Sequence, residues 1–356
     1  MARPVLVTGG SGYIGSWTIV ELVNRGFRVR TTVRSLAKAD GVRKAVSSAI
    51  RGVSSDLVDR IEFVEADLSS DAGWDAALRG VDGVLHVASP LNPEDPEDVE
   101  AFVGPAVEGT LRVLRAAERA GVDRAVLVSS AAACTPAAHG DVVMDDNLWT
   151  DPESPHLSPY RLSKVLAEKA AWEFAVAHPR MELATVLPGA VLGPALPGVS
   201  ASSAQMVERM VTGRGMPAVP RVEMAVVDVR DVASLLVDAF ERPAAAGHRF
   251  LTAGEVLTMK QVAEIAGGVR REMAAAGAVN PARPGAEKKG PRRVVTMPDV
   301  AFRLAAKLDK NLHPLVSMLG RHLTVNAQRA QDVLGWTARP ARTTIEDTAR
   351  DYVERA

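Results

Sequence analysis

One cysteine, Cys134, stands in 356 residues. No internal disulfide can form, and such sparing use fits a reducing compartment. Four positions after Ser130, the thiol reads as a small core residue. Histidine pairs at metal-ligand spacing are missing too. His86, His139, His156, His178, His248, His313 and His322 are scattered, with no second cysteine to join them, so no metal site is expected. His139 and His156 read as surface-loop residues, and His86 as a packed or hydrogen-bonded one. No run of about 18 apolar residues occurs, which excludes a membrane-spanning helix. Met1-Ala2-Arg3-Pro4 leads straight into apolar residues, so no leader is expected and the cytoplasm is the expected location. Excess charge of one sign is also absent. A net charge of −1 is too small to recruit nucleic acid or an anionic membrane surface. What is present is 47 % hydrophobic residues, enough for a large core in one domain or two joined lobes. A monomer or homodimer acting on a small molecule is expected.

Thr8-Gly9-Gly10-Ser11-Gly12-Tyr13-Ile14-Gly15 follows the apolar run Val5-Leu6-Val7 and precedes Ile19, Val20, Leu22 and Val23 at helical spacing. Strand, glycine turn and helix form the setting of a dinucleotide-binding loop. Gly9 permits the tight turn, Gly12 lets backbone approach a pyrophosphate, and Gly15 lets the helix pack on the strand. The helix N-terminus then offers N–H groups and a positive dipole end to phosphates. A further absence bears on the cofactor. NAD-binding loops carry an acid about 20 residues past the glycines, bonded to the ribose 2′-hydroxyl. No carboxylate lies between Glu21 and Asp40 here, and the strand Arg28–Val33 runs into Arg34. A guanidinium pairs with a 2′-phosphate, and Lys38 and Arg43 are nearby candidate helpers. NADP(H) is therefore expected over NAD(H), held by Gly9, Ser11, Gly12, Tyr13, Ile14, Gly15, Arg34 and Lys38.

Tyr160-Arg161-Leu162-Ser163-Lys164 sets a phenol and an amine on one face of a helix. Ser158 suits the cap, Pro159 the first turn, and Val165 to Trp172 continue the helix. A free phenol ionises near pH 10, too high for efficient proton transfer near neutrality. A neighbouring ammonium favours the phenolate and lowers that value. The strand Val126-Leu127-Val128 ends in Ser129-Ser130. Parallel strands turn their C-terminal ends to the ligand crevice, so Ser130, with Ser129 as the alternative, can converge with Tyr160 and Lys164.

Alternating strands and helices predict an α/β fold, a doubly wound parallel sheet with a smaller, mostly helical C-terminal substrate lobe. Strands are expected at Val5–Val7, Val29–Val33, Ile61–Glu65, Gly83–Val87, Ala125–Ser129 and Leu183–Leu187, with Val222–Val227 returning to the sheet. Helices are expected at Ala37–Ile50, Val99–Arg119, Ser203–Thr212, Val232–Phe240, Met259–Ala274, Val300–Leu308 and Thr344–Arg355. The division is 1–190 with 222–252 for the cofactor, and 191–221 with 253–356 for the substrate. Gly277 to Arg293 reads as a mobile loop, its Lys288, Lys289, Arg292 and Arg293 a solvated cluster. Met206, Met210, Met216 and Met224 suit either a pocket or the core, with core favoured for at least half.

Several segments together carry a resemblance. They are Thr8 to Trp17, Thr32-Val33-Arg34, Ala66-Asp67-Leu68, His86-Val87-Ala88-Ser89-Pro90, Val107-Glu108-Gly109-Thr110, Ser129-Ser130, Tyr160 to Trp172, Val227 to Ala233 and Leu334-Gly335-Trp336. In their order and spacing the chain resembles the extended short-chain dehydrogenase/reductases. Within them it resembles the branch of dihydroflavonol reductases, cinnamoyl-CoA reductases and NADPH-dependent aldehyde/ketone reductases. The resemblance implies a Rossmann fold and catalytic roles for Ser130, Tyr160 and Lys164, with Tyr160 and Lys164 also contacting the cofactor and Lys164 holding its ribose. It sets Asp67 and Leu68 at the adenine, and Val87, Ala88, Ser89 and Pro90 on the nicotinamide side. Pro188 and Gly189 would touch the nicotinamide ribose or amide, with Val128 and Val191 beside them. Two departures matter. Ala106 precedes Val107 where many members carry an asparagine, so a proton relay through that residue is not supported. The surroundings of Tyr160 also lack the cinnamoyl-CoA signature, which weakens a CoA-thioester substrate. The expected activity is reduction of an aldehyde or ketone by NADPH. The alternative is a nucleotide-sugar epimerase/dehydratase or a hydroxysteroid dehydrogenase/isomerase on the same fold.

Overall fold

The computed structural model describes residues 3–51, 56–90, 98–155, 157–201, 206–207, 210, 218–278, 294–308 and 312–354. Short aliphatic runs form the strands β1 (Val5–Thr8), β2 (Val29–Val33), β3 (Glu62–Glu65), β4 (Gly83–His86) and β5 (Arg124–Val128). After β6 (Gly140–Asp145) come β7 (Glu182–Pro188), β8 (Ala190–Leu192), β9 (Ala218–Val219), β10 (Glu223–Asp228) and β11 (Arg249–Thr252). The last three are β12 (Val256–Thr258), β13 (Val295–Thr296) and β14 (Arg321–Asn326). Seven strands make one parallel sheet in the order β11-β7-β5-β4-β1-β2-β3. Both faces are covered, so β1 and β4 are buried throughout instead of alternating. Val5 and Val7 pack in one core with the helices α1 (Tyr13–Asn24) and α2 (Ala39–Ser47). Leu6 faces the other way, into a core with the later helices α5 (Val99–Arg119) and α6 (Pro159–Ala177). Two short helices, α3 (Asp56–Asp59) and α4 (Trp74–Leu78), precede α5. Strand order reverses between β1 and β4, which opens the ligand crevice of such sheets at their C-terminal ends.

The returning strand differs from expectation. β10 does not join the main sheet; it lies between β8 and β12 in a separate three-stranded sheet. The seventh main strand is β11, paired in parallel with β7. Gly189 explains the placement of β10: a Cβ there would lie 2.3 Å from the Ala225 carbonyl oxygen, so only glycine lets β10 approach the end of β7. The C-terminal region holds sheets as well as helices, since β9 pairs with β13 and β6 with β14. Its helices are α7 (Val229–Glu241), α8 (Met259–Ala275), α9 (Asp299–Ala306), α10 (His313–Val316), α11 (Gln328–Leu334) and α12 (Ala341–Glu354). Met210 and Met224 are buried in a second core with Met259, Val262 and Ile345, and Met206 packs against it. Met216, most of the helix expected at 203–212, the loop 279–293 and His156 lie outside the described residues. Among the described residues, no helix is long and apolar enough to cross a membrane.

Candidate active site

β1 ends at Thr8, and the chain turns through Gly9 at φ +72°. The Gly12 N–H closes the turn onto the Gly9 carbonyl at 2.9 Å, and a Cβ at Gly15 would lie 2.4 Å from that same oxygen. Gly10, not singled out in the sequence, is as constrained: its Cβ would fall 2.1 Å from Thr31 Oγ1. α1 then starts with no side-chain cap and no acid in its first turn. Its leading N–H groups and dipole face the loop without a competing anion, which is the chemistry a pyrophosphate requires. The residues present therefore fit a dinucleotide. Tyr13 offers this seat only its backbone. Its hydroxyl donates to the Gly193 carbonyl at 2.7 Å, and burial pushes the phenol pKa well up. Ile14 packs against the core. Ser11 is half-buried in the turn.

At the other end of the crevice Arg34 is exposed just past β2. Hydrogen bonds from the Ser69 hydroxyl and backbone N–H hold the Asp67 carboxyl below the usual carboxylate range, and the nearby Arg34 charge adds to this. Arg34 and Asp67 thus share one corner, with Leu68 beside them. Gly109 of α5 sits against Leu68, where a Cβ would come within 3.0 Å of the Leu68 Cβ. Lys38 is exposed at the start of α2. Arg43 is directed elsewhere. It donates to the Ile61 carbonyl at 3.1 Å and stacks over Phe63 at 4.7 Å, at the entry end of β3. Its helical position carries it to the wrong end of the strands to assist Arg34.

The segment after β4 forms the crevice wall. Ala88 lies so close to Gly9 that a Cβ on the glycine would touch it at 3.1 Å. A hydroxyl missed in the sequence anchors this wall. Thr8 Oγ1 accepts from the Val87 and Ala88 N–H groups at 3.0 and 2.9 Å and lies 2.9 Å from His86 Nδ1. With both lone pairs taken, the hydroxyl donates its proton to Nδ1, so the His86 proton resides on Nε2. Burial, with the Lys164 ammonium adding to it, drives the His86 pKa to about 3, and the ring stays neutral. His86 is hydrogen-bonded rather than merely packed.

Ser158 caps α6, its hydroxyl accepting from the Arg161 N–H at 3.4 Å, and Pro159 fills the first turn. Lys164 is nearly buried, and its Nζ donates to Ser89 Oγ at 3.0 Å. The same ammonium lies 5.9 Å from the Tyr160 ring centre. The Tyr160 ring packs edge-on to Phe102 and is 37 % exposed, open to a ligand. β5 ends at Val128, and the two serines then part. Ser129 is buried and donates to Glu168 Oε2 at 2.6 Å. The Ser130 hydroxyl accepts from the Ala132 N–H at 3.1 Å, which leaves its proton available. Pro188 closes β7, and Val191 is buried in β8 beside Val227. Ala106, at the asparagine position, is buried and apolar. Cys134 is fully buried, and desolvation pushes its thiol up to about 12.

Sequence reasoning also missed the support under α6. Glu168, four residues after Lys164, is fully buried and bonded to Ser129, to Thr185 at 2.8 Å and to Arg249 of β11 at 2.8 Å. Arg249 also donates to the Asp146 carbonyl at 3.1 Å and stacks on Trp149 at 3.7 Å. The available signal was an acid four residues after Lys164, on the same face of the helix.

The model of the NAD dependent epimerase/dehydratase family matches residues 5–253. Cinnamoyl-CoA reductase 1 of Oryza sativa subsp. japonica is 38 % identical over 257 residues, covering 71 % of this chain and 72 % of that protein. Dihydroflavonol 4-reductase of Zea mays is 32 % identical over 260 residues, covering 71 % and 70 %. Among solved structures, Gre2 of Candida albicans in complex with NADPH superposes with a TM-score of 0.76 at 24 % identity, over 99 % of this chain and 100 % of that one. That likeness shows the same fold. The fold, the glycine cradle and these relatives agree: the chain belongs to the NAD dependent epimerase/dehydratase family, the extended short-chain dehydrogenase/reductases.

Proposed function

We propose that this chain is an NADPH-dependent carbonyl reductase that converts an aldehyde or ketone to an alcohol. The observation that carries the reading is that α6, which bears Tyr160 and Lys164, packs against the turn that Ser130 begins. The Ser130 proton is available, the Tyr160 ring is open to a ligand, and the Lys164 ammonium reaches from α6 to Ser89 on the opposite wall. Gly9 to Gly15 and the open end of α1 would hold the pyrophosphate, and Arg34 the 2′-phosphate. Asp67 and Leu68 would border the adenine. Val87, Ala88, Ser89, Pro90, Val128, Pro188, Gly189 and Val191 would line the nicotinamide half. When bound, the nicotinamide supplies the hydride.

Ser130 and Tyr160 donate hydrogen bonds to the carbonyl oxygen, where negative charge grows as the carbon is reduced. Donors fixed at that point stabilise the transition state more than the ground state. Tyr160 gives its proton to the resulting alkoxide. Lys164 provides the positive charge that favours the phenolate left behind. The test is NADPH consumption with a panel of aldehydes and ketones. Wild type is expected to turn over at least one of them, and Tyr160→Phe to lose at least ~10²-fold in kcat while still binding NADPH in a fluorescence titration. Turnover of a sugar nucleotide without net cofactor consumption would replace this reading with the epimerase one.

A further inference from the structure

Two guanidinium groups, one of them next to Tyr160, lack the carboxylate partner that several other arginines of this molecule have. Arg249 is paired with Glu168, Arg230 with Asp228 and Asp347, and Arg25 with Glu21, Asp238 and Glu241. Arg161 and Arg321 are paired with no carboxylate among the described residues. Arg161 immediately follows Tyr160 and donates to the Thr135 carbonyl. Arg321 is 7 % exposed and donates to the Pro136 carbonyl at 2.7 Å, and its buried Nε has no partner. Both thus hang on consecutive carbonyls of the loop that leads away from Ser130. Burial lowers the pKa of both, that of Arg161 to about 10, with the Arg321 charge contributing.

A buried cation without a counter-charge is costly. Arg321 is buried and Arg161 half-buried, and side by side on one loop they make a site that an anion would relieve. Arg161 also lies in the first turn of α6, where the helix dipole adds positive potential. Guanidinium forks match carboxylate and phosphate oxygens in geometry. β14 pairs with β6 so that Arg321 faces Gly140, which sets it against the same loop after Ser130 that Arg161 holds.

We propose that Arg161 and Arg321 form a subsite for a carboxylate or phosphate group carried by the carbonyl substrate. The assignment to substrate rests on the reductase reading above, whereas the affinity for an anion does not. Two measurements separate them. In the first, the protein is saturated with NADP⁺, so that the 2′-phosphate seat is filled, and its thermal unfolding is followed against inorganic phosphate and benzoate. Wild type is expected to be stabilised, and Arg161→Gln and Arg321→Gln to lose most of that stabilisation. No stabilisation of wild type, or an equal one in both variants, overturns the subsite.

The second measurement compares kcat/KM for 4-carboxybenzaldehyde, 4-formylphenyl phosphate and the neutral methyl ester of the carboxylate. One of the charged probes is expected to be preferred over the ester. That preference should shrink roughly 10- to 100-fold in each variant, as for a lost charged hydrogen bond. Equal use of charged and neutral probes by wild type overturns the assignment to substrate. Reduction of none of the three, with anion stabilisation intact, counts against the reductase reading instead. Cofactor titration of each variant checks that it is folded.

Discussion

Ser129 and Ser130 differ in where their protons go. Ser129 has given its own to Glu168, while Ser130 keeps one for a ligand. Ser130→Ala should therefore lower kcat by roughly 10²–10³-fold, the scale of one oxyanion donor, with cofactor affinity unchanged. Ser129→Ala should chiefly lower stability. Steady-state kinetics beside urea titrations will separate the two. His86 supports a prediction about pH. Its pKa is about 3 in the folded chain against an ordinary 6.5. Below 6.5 the unfolded chain takes up a proton that the folded one refuses. Stability from this group is thus complete above 6.5 and lost as pH falls toward 3, at up to about 1.4 kcal/mol per pH unit. His86→Asn should flatten that part of a plot of urea midpoint against pH; an unchanged slope would show that other groups govern it. Neither the role of Ser129 nor the neutral state of His86 was legible in the sequence. The partners that decide them lie 39 and 78 residues away, whereas Tyr160 and Lys164 are a local helical pair that spacing alone reveals.

At the scale of the element, α6 carries Tyr160, Lys164, Glu168 and Trp172 at intervals of four, and Glu168 joins it to the sheet edge. Glu168→Ala would leave Arg249 buried without its counter-charge. It should cost about 3–5 kcal/mol, and removing both partners with apolar residues should recover much of that. Urea unfolding of the single and double variants measures this directly; a cost under about 1 kcal/mol for the single change would put the pair among ordinary surface bridges. The boundaries of α5 and β2 follow directly from residue periodicity. β6 and β14 went unread because each is half-exposed, and they pair across about 180 residues, as the Asn326–Asp145 contact shows. β10 was read as a strand but assigned to the wrong sheet. Its position depends on a close backbone approach at Gly189 that no local pattern announces.

For the whole molecule, a dinucleotide spanning the crevice from Arg34 to Pro188 would hold many elements at once. Binding only to the folded state adds about 2.7 kcal/mol at a hundred times Kd. NADPH should raise Tm more than equal NADH. Losing the Arg34 contact costs about 1.5–3 kcal/mol, or roughly 10–150-fold in affinity, so Arg34→Ala should bring the two shifts together. Equal shifts in wild type would remove Arg34 as the reader of the 2′-phosphate. The glycine cradle was legible because it comes from one continuous segment. The direction of Arg43 was not, because a residue number does not reveal which end of a strand a side chain will reach.

The anchoring of Glu168 makes α6 a lever with its fulcrum in the sheet. Lys164 stands four residues along the same rigid rod, about 6 Å from the fixed point. A small tilt imposed at β11 would move the ammonium and the phenol together, by an amplified distance, while the phosphate seat at β1 stayed still. Engineers altering this scaffold should then find that changes at its outer edge strand alter how fast it turns over more than how tightly it holds its cofactor.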